Sequence, residues 1–278
     1  MADPKSTVYP ETLAGGFTRV DGTIQFFTRI RALLEPGFTV LDLGAGRGQA
    51  FHGDKLPFRK ALRQLRGHCA EVIGCDPDPV VLTNPSLDRA FLMGDDGRLD
   101  LDEASIDLIL CDFVLEHVAD PGAFVSEVHR VLRPGGWFCA RTPNKWGYIA
   151  LGSRIIPERL HSRVLRRAQP DRKAEDVFPT LYRLNTRSAL RSHFPRRDWL
   201  DGSYVWNAEP AYFGRSVLAW RLASVALKFL PQALGSMLMV FMQKRGPSAG
   251  IPAGPARSNS EPQLVNDNGG GQDPVPIR

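Results

Sequence analysis

The stretch Val40-Leu41-Asp42-Leu43-Gly44-Ala45-Gly46-Arg47-Gly48 decides the fold. Residues 38–43 are a short β-branched and apolar run, the pattern of a strand buried on both faces of a parallel sheet. That strand enters a glycine-rich turn, where missing side chains let the backbone approach a ligand closely. The glycines follow GxGxG. Gln49 stands where the dinucleotide fingerprint GxGxxG needs its last glycine. Asp42 adds negative charge at the turn, which disfavours a pyrophosphate. A carboxylate there suits a cationic ligand, such as a sulfonium that also bears an ammonium group.

The chain on either side repeats the strand-to-helix rhythm. Upstream, Ile24, Phe26, Phe27, Ile30, Leu33 and Leu34 have helical spacing over residues 23–34, and Pro36-Gly37 stops the helix. Downstream, residues 59–65 read as a helix, and 72–75, 90–93 and 106–110 as further strands. Residues 123–132 read as a helix, and Pro134-Gly135-Gly136 turns the chain into a fifth strand at 137–141. Residues 202–206 and 236–241 supply two more strands at the sheet edge. Between them, 217–230 is a helix expected to pack its wide apolar face on the sheet, with Arg221, Ser224 and Lys228 on a narrow polar stripe. The fold class is therefore α/β and Rossmann-like: a mostly parallel seven-stranded sheet with helices on both faces and an inserted helical lid.

Five segments are expected. Residues 1–36 form an arm, loosely ordered over 1–22, and a helix. Residues 37–143 are the ligand-binding core. Residues 144–199 are a basic helical insert, read either as a lid over the acceptor or as a solvated helical face. Residues 200–245 are the C-terminal sheet edge with its amphipathic helix, and 246–278 a disordered tail rich in Gly, Pro, Ser and Asn.

Composition fits an ordinary globular protein: 278 residues, 43% hydrophobic and 23% charged, with a net charge of +5. The positive charge is concentrated, with twelve Arg or Lys against four Asp or Glu over residues 154–197. Such a block suggests an acidic partner. Cys69, Cys75, Cys111 and Cys139 form no CxxC pair and are expected as small thiols in a reducing compartment. The first thirty residues lack a cationic start followed by an apolar block, so no signal peptide is expected. The apolar stretch 229–242 is too short to span a bilayer. The protein is expected to be cytoplasmic, with peripheral contact at the inner face of a membrane as a further option.

Each strand ends in a polar group. Asp76 closes the second strand, where a carboxylate can accept both hydroxyls of a ribose. The third ends in Gly94-Asp95-Asp96, where either carboxylate could take an adenine amino group. The fourth runs into Cys111-Asp112-Phe113-Val114-Leu115-Glu116-His117-Val118. These groups converge on the crevice where open α/β sheets bind ligands.

The ordered series VLDLGAGRG, IGCDPDP, GDD, IDLILCDFVLEHV and HRVLRPGGWF, over about residues 20–145, resembles the motif set of class I S-adenosylmethionine (SAM)-dependent methyltransferases of the type 11-like kind. The resemblance is to the branch that includes quinone-biosynthesis and polysaccharide-linked enzymes. It implies SAM as cofactor, with Asp42, Gly44, Gly46 and Gly48 around the methionine moiety. It puts Asp76 on the ribose, Asp95 with Asp96 near adenine, and Cys111 and Asp112 on the sulfonium side. In quinone-pathway O-methyltransferases the LEHV stretch contributes to catalysis and, in some, to metal binding with a further upstream carboxylate. Here that upstream position is Phe113, and no metal is expected. His117 is the candidate general base, since its titration range suits proton removal from a hydroxyl; the alternative is a histidine packed under the strand end. The segment 176–186 is similar to stretches in bacterial methyltransferases of this branch. His161, Tyr182, Arg183 and Asn185 are the candidate acceptor contacts.

The expected reaction is methyl transfer to an oxygen of a small molecule, glycan or lipid-linked intermediate. No NPPY-like run follows the fourth strand, which disfavours methylation of a nucleobase amine. Cys111 follows Leu110 rather than proline, which disfavours covalent attack on a pyrimidine. An RNA or protein methyltransferase, a non-catalytic SAM-binding regulator and an NAD-dependent dehydrogenase are the rivals; nucleic acid is the less favoured partner.

Overall fold

A computed structural model describes residues 4–94, 96–148, 150, 179–210 and 216–246. Asp95, His161, most of the basic insert and the tail beyond Gly246 lie outside the described residues.

Among the described residues, eight strands form one sheet: β1 (Thr39–Leu43), β2 (Glu71–Asp76), β3 (Arg89–Leu92), β4 (Ile106–Asp112), β5 (Leu132–Pro143), β6 (Trp199–Asp201), β7 (Tyr204–Trp206) and β8 (Met237–Lys244). Their order is β3-β2-β1-β4-β5-β8-β6, and β7 also pairs with β8. β1 to β5 are parallel, and β8 runs antiparallel to its neighbours. β6 and β7 pair with successive parts of β8, broken at Gly202-Ser203. There the Gly202 N–H donates to the Phe241 carbonyl (2.8 Å), and the Phe241 N–H donates to Ser203 Oγ (3.1 Å). The eight strands therefore occupy seven positions across the sheet, the last being one interrupted edge strand. Its first half, β6, was not expected as a strand: Trp199-Leu200-Asp201 is too short to show a period.

Among the described residues the α-helices are α1 (Pro4–Val8), α2 (Gly22–Leu33), α3 (Gln49–His52), α4 (Pro57–Arg63), α5 (Pro121–Val131), α6 (Arg187–His193) and α7 (Val217–Phe229). Their starts are set locally. The Asp21 carboxylate accepts from the N–H groups of Thr23 and Ile24, Asp120 from those of Gly122 and Ala123, Thr186 from Ala189 and Ser216 from Ala219. Pro57 and Pro121 begin α4 and α5, positions where a missing N–H costs nothing. The N-terminal arm is more ordered than the sequence suggests. Tyr9 is buried, with its hydroxyl 3.3 Å from Ser224 Oγ on α7, and Lys5 pairs with Glu209 at 2.8 Å.

Side chains alternate across the sheet and divide the core in two. Leu41, Leu43, Ile73, Ile109, Cys111 and Phe138 face one side. Val40, Val72, Leu108, Leu110 and Cys139 face the other, covered by Phe26, Phe27 and Ile30 of α2. The same alternation carries Asp42, Asp112 and Arg141 onto the second side, one step beyond Val40, Leu110 and Cys139. Three charged groups thus end up together at the top of the sheet, under α2 and α4.

Candidate cofactor site

The chain winds outward from β1 to β2 and β3, then reverses to β4 and β5. Ligands of open α/β sheets bind at that reversal, beyond the carboxyl ends of the strands. A cavity of about 730 Å³ lies there, bounded by the turn after β1, by Asp76 and Asp78 after β2, and by Asp112, Phe113 and Val114 after β4. That volume lies within the usual range for cofactor sites, about 300–1,000 Å³.

The glycine turn is tied down on three sides. The Gly44 N–H donates to the Cys75 carbonyl (2.7 Å), and the Gly46 N–H to Asp76 Oδ2 (3.0 Å). Asn84 Nδ2 donates to the carbonyls of Ala45 (3.2 Å) and Gly46 (3.1 Å). Gly44 has φ +81° and Gly48 φ +73°, a region where larger residues are strained. A Cβ on Gly44 would lie 2.2 Å from Val114 Cγ2, and one on Gly48 2.6 Å from Asn84 Oδ1. The turn leaves an open cradle that only glycines allow.

Charge is concentrated at the strand ends. Burial, with the Asp112 and Asp76 carboxylates nearby, pushes the Asp42 carboxyl up to about 7. Burial also raises Asp76, opposed by hydrogen bonds from the Asp78 and Gly46 N–H groups. Asp112 is held bidentately by Arg141, with Nε to Oδ1 and Nη2 to Oδ2 both 2.7 Å. Arg141 also donates to Thr23 Oγ1 (2.8 Å) and stacks against Phe113, 4.7 Å from the ring centre. Phe113 adopts φ +60°, uncommon for a bulky residue and a mark of local constraint.

Several expected site residues are brought together: Asp42, Gly44, Gly46, Gly48, Asp76, Asp112 and His117 all line the cavity. His117 Nδ1 lies 2.8 Å from the Pro179 carbonyl. A carbonyl only accepts, so Nδ1 carries the proton and the lone pair of the neutral ring is on Nε2.

Others are placed elsewhere. The Cys111 side chain points into the opposite core, because it follows Leu110 and precedes Asp112 in an alternating strand; its thiol is fully buried and its pKa raised by burial. Asp96 is exposed and folds back to accept the Arg98 N–H (3.0 Å). Asn185 is fully buried: its Nδ2 donates to Thr142 Oγ1 (2.6 Å) and to the Pro143 carbonyl (2.9 Å). Thr142 in turn donates to the buried carboxylate of Glu116 (2.7 Å). The Glu116 carbonyl accepts from the N–H groups of Leu181 (2.7 Å) and Tyr182 (3.2 Å). Asn185 and Glu116 thus fasten residues 179–182 over the strand ends and do not face the cavity. Arg183 Nη1 donates to the Ala119 carbonyl, and Tyr182, at φ +53°, turns the chain; neither lines the cavity. Pro179 and Leu181 do line it.

Sequence reasoning missed Asn84, Arg63 and Phe27. Asn84 follows a Pro-Val-Val-Leu-Thr turn with no motif to mark it. Arg63 and Phe27 sit on helices whose periodicity shows which face is apolar but not which end reaches the cavity.

The donor set fits SAM. Carboxylates suit an ammonium and a ribose, the glycine cradle accepts close approach, and Arg63, whose Nε is buried without a hydrogen-bond partner among the described residues, suits a carboxylate.

Comparison with known sequences agrees. A family model described as a methyltransferase domain matches residues 41–140. A probable S-adenosylmethionine-dependent methyltransferase of Mycolicibacterium smegmatis is 37% identical over 114 residues, 39% of this chain and 39% of that protein. A ubiquinone biosynthesis O-methyltransferase of Nitrobacter winogradskyi is 32% identical over 123 residues, 42% of this chain and 43% of that protein. The chain thus matches less than half the length of these curated relatives. The solved structure of a SAM-dependent methyltransferase from Aquifex aeolicus aligns over 87% of this chain and 99% of its own, at 14% identity and a TM-score of 0.45. Residues 41–140 are thus similar to the methyltransferase domain of these proteins.

Proposed function

We propose that the protein transfers the methyl group of SAM to an oxygen acceptor, with His117 as the general base. The observation that carries this reading is the placement of His117 on the cavity wall with Nδ1 anchored to the Pro179 carbonyl. The cofactor supplies an electrophilic methyl carbon on a sulfonium. With SAM bound, an acceptor oxygen would displace the neutral thioether from that methyl carbon, and Nε2 of His117 would take the hydroxyl proton. Residues 179–182 shield the reaction from water, and much of the rate comes from holding the acceptor in line. His117→Ala is expected to slow single-turnover methyl transfer by about 10²–10⁴-fold with SAM affinity little changed. An unchanged single-turnover rate would remove His117 from the role.

Asp42 carries the ammonium of the cofactor in this reading. Its raised carboxyl is protonated in the folded protein where the unfolded chain has already ionised. Stability therefore falls as pH rises from 3.8 to about 7 and levels off above. Ammonium binding requires the ionised form and so expels that proton. Affinity for S-adenosylhomocysteine (SAH) is expected to rise with pH by up to about tenfold per unit below 7 and to flatten above it. Asp42→Asn should bind weakly with no such slope, as titration calorimetry across pH 5.5–8.5 would show.

The acceptor is a small molecule, a glycan or a lipid-linked intermediate, and α7 favours the lipid-linked class. Leu218, Leu222, Val225 and Phe229 are 67, 64, 52 and 83% exposed. At 100° per residue they form one narrow stripe. The sequence reading packed the apolar face of α7 on the sheet; instead Ala223 is buried and this stripe points outward, with Arg221 and Lys228 beside it and no acidic residue in the helix. No helix among the described residues is long and apolar enough to cross a membrane. An apolar stripe edged by cations suits contact with an anionic lipid surface. Sedimentation with phosphatidylglycerol-containing vesicles is expected, with little on pure phosphatidylcholine. Leu222→Glu should weaken it roughly tenfold or more. Equal binding of the variant would remove α7 from the contact.

A further inference from the structure

Arg63 ends α4 at the floor of the cavity, with its side chain 12% exposed. Its guanidinium makes two long ion pairs, each to a carboxylate that another arginine holds more closely. Asp54, 3.5 Å from Nε, is already held by Arg59 at 2.6 and 2.8 Å. Asp112, 3.6 Å from Nη1, is already held bidentately by Arg141. The remaining contacts are a long hydrogen bond from Nη2 to Thr23 Oγ1 (3.4 Å) and the ring of Phe27, 4.9 Å below the guanidinium carbon. Nε is buried with no hydrogen bond. Burial, together with the like charges of Arg141 and Arg59, lowers the pKa of Arg63. A cation in that position is costly unless an anion arrives to meet it. Asp42 lies close enough to feel its charge.

The site therefore offers a carboxylate and, next to it, a guanidinium whose own ion pairs are long and made to carboxylates shared with other arginines. That is the complement of an α-amino acid, whose ammonium and carboxylate share one carbon. We propose that Arg63 receives the carboxylate of the methionine moiety of SAM, forming with Asp42 a clamp for its zwitterionic end. The proposal rests on the SAM-binding reading of the cavity. Phe27 packs one face of the guanidinium, which leaves its edge for paired N–H···O bonds.

The test compares two probes differing only in that carboxylate: SAM and decarboxylated SAM, titrated calorimetrically into wild type, Arg63→Met and Arg63→Lys. Wild type is expected to prefer SAM by roughly 10–100-fold, the range of a charge-assisted pair. Arg63→Met should lose that preference while binding decarboxylated SAM as wild type does, and Arg63→Lys should recover part of it. Equal loss of both ligands in Arg63→Met would reveal a merely structural residue, and an unchanged preference would place the carboxylate elsewhere; either overturns the assignment. If wild type binds neither probe, the SAM reading falls and the clamp with it.

Discussion

Asp76→Ala is expected to lose SAH binding by roughly a hundredfold or more, with the free protein still folded. Asp76 has two tasks at the end of β2. Its Oδ2 accepts the Gly46 N–H at 3.0 Å and its Oδ1 the Asp78 N–H at 2.9 Å, which fixes the glycine turn against the second strand. Asp76 also lines the cavity, and each oxygen keeps further acceptor capacity for a ribose diol. Hydrogen bonds to a charged group contribute about 1.5–3 kcal/mol each. Losing two corresponds to about 3 kcal/mol or more, hence the hundredfold. Asp76→Asn keeps the shape and one acceptor oxygen and should lie between. Calorimetric titration of the three proteins measures this directly. Equal affinities would mean that the ribose sits elsewhere.

Arg141→Met is expected to be the most destabilising single change near the site, by about 3–5 kcal/mol, the usual cost of stripping one partner from a buried ion pair. The Arg141 side chain is 4% exposed and makes three hydrogen bonds, two to Asp112 and one to Thr23. Its removal leaves Asp112, among the described residues, with the more distant Arg63, 3.6 Å away. For a protein of this size the loss corresponds to a fall in Tm on the order of 10 °C. Desolvation explains the size of the effect, so removing both charges should cost far less than removing one. The double variant Arg141→Met/Asp112→Leu is expected to recover much of the lost stability in chemical denaturation. A double variant as unstable as the sum of the singles would show that the pair is not energetically coupled.

The central strands were legible because local and global signals agree there. Val40 to Leu43 is apolar, β-branched and followed by a glycine turn, and tertiary structure only confirms what neighbours already dictate. The edge was less legible. β6 has three residues and takes its conformation from β8, more than forty positions away in sequence. The arm looked loose because Pro4 to Leu13 has no amphipathic period; its order comes from Tyr9 packing on α7. In the site, Asp42 and Asp76 could be read from strand ends alone. Cys111 could not be assigned correctly until the strand was given its alternation, which sends the thiol to the far core and the Asp112 carboxylate to the cavity. Asn185 looked like a polar contact in a loop. It is a buried tie between β5 and residues 179–185, a role that depends on Thr142 and Glu116 arriving from two other elements. Arg63 was invisible for the same reason: nothing in its helix indicates that Asp54 and Asp112 are already taken.

The most direct test of the account is calorimetric titration of the wild-type protein with SAH, SAM and NAD at pH 7.5. The account predicts saturable one-site binding of both adenosyl amino acids and no competition from NAD. Absence of binding to SAH and SAM in a folded sample, or tighter binding of NAD, would contradict it.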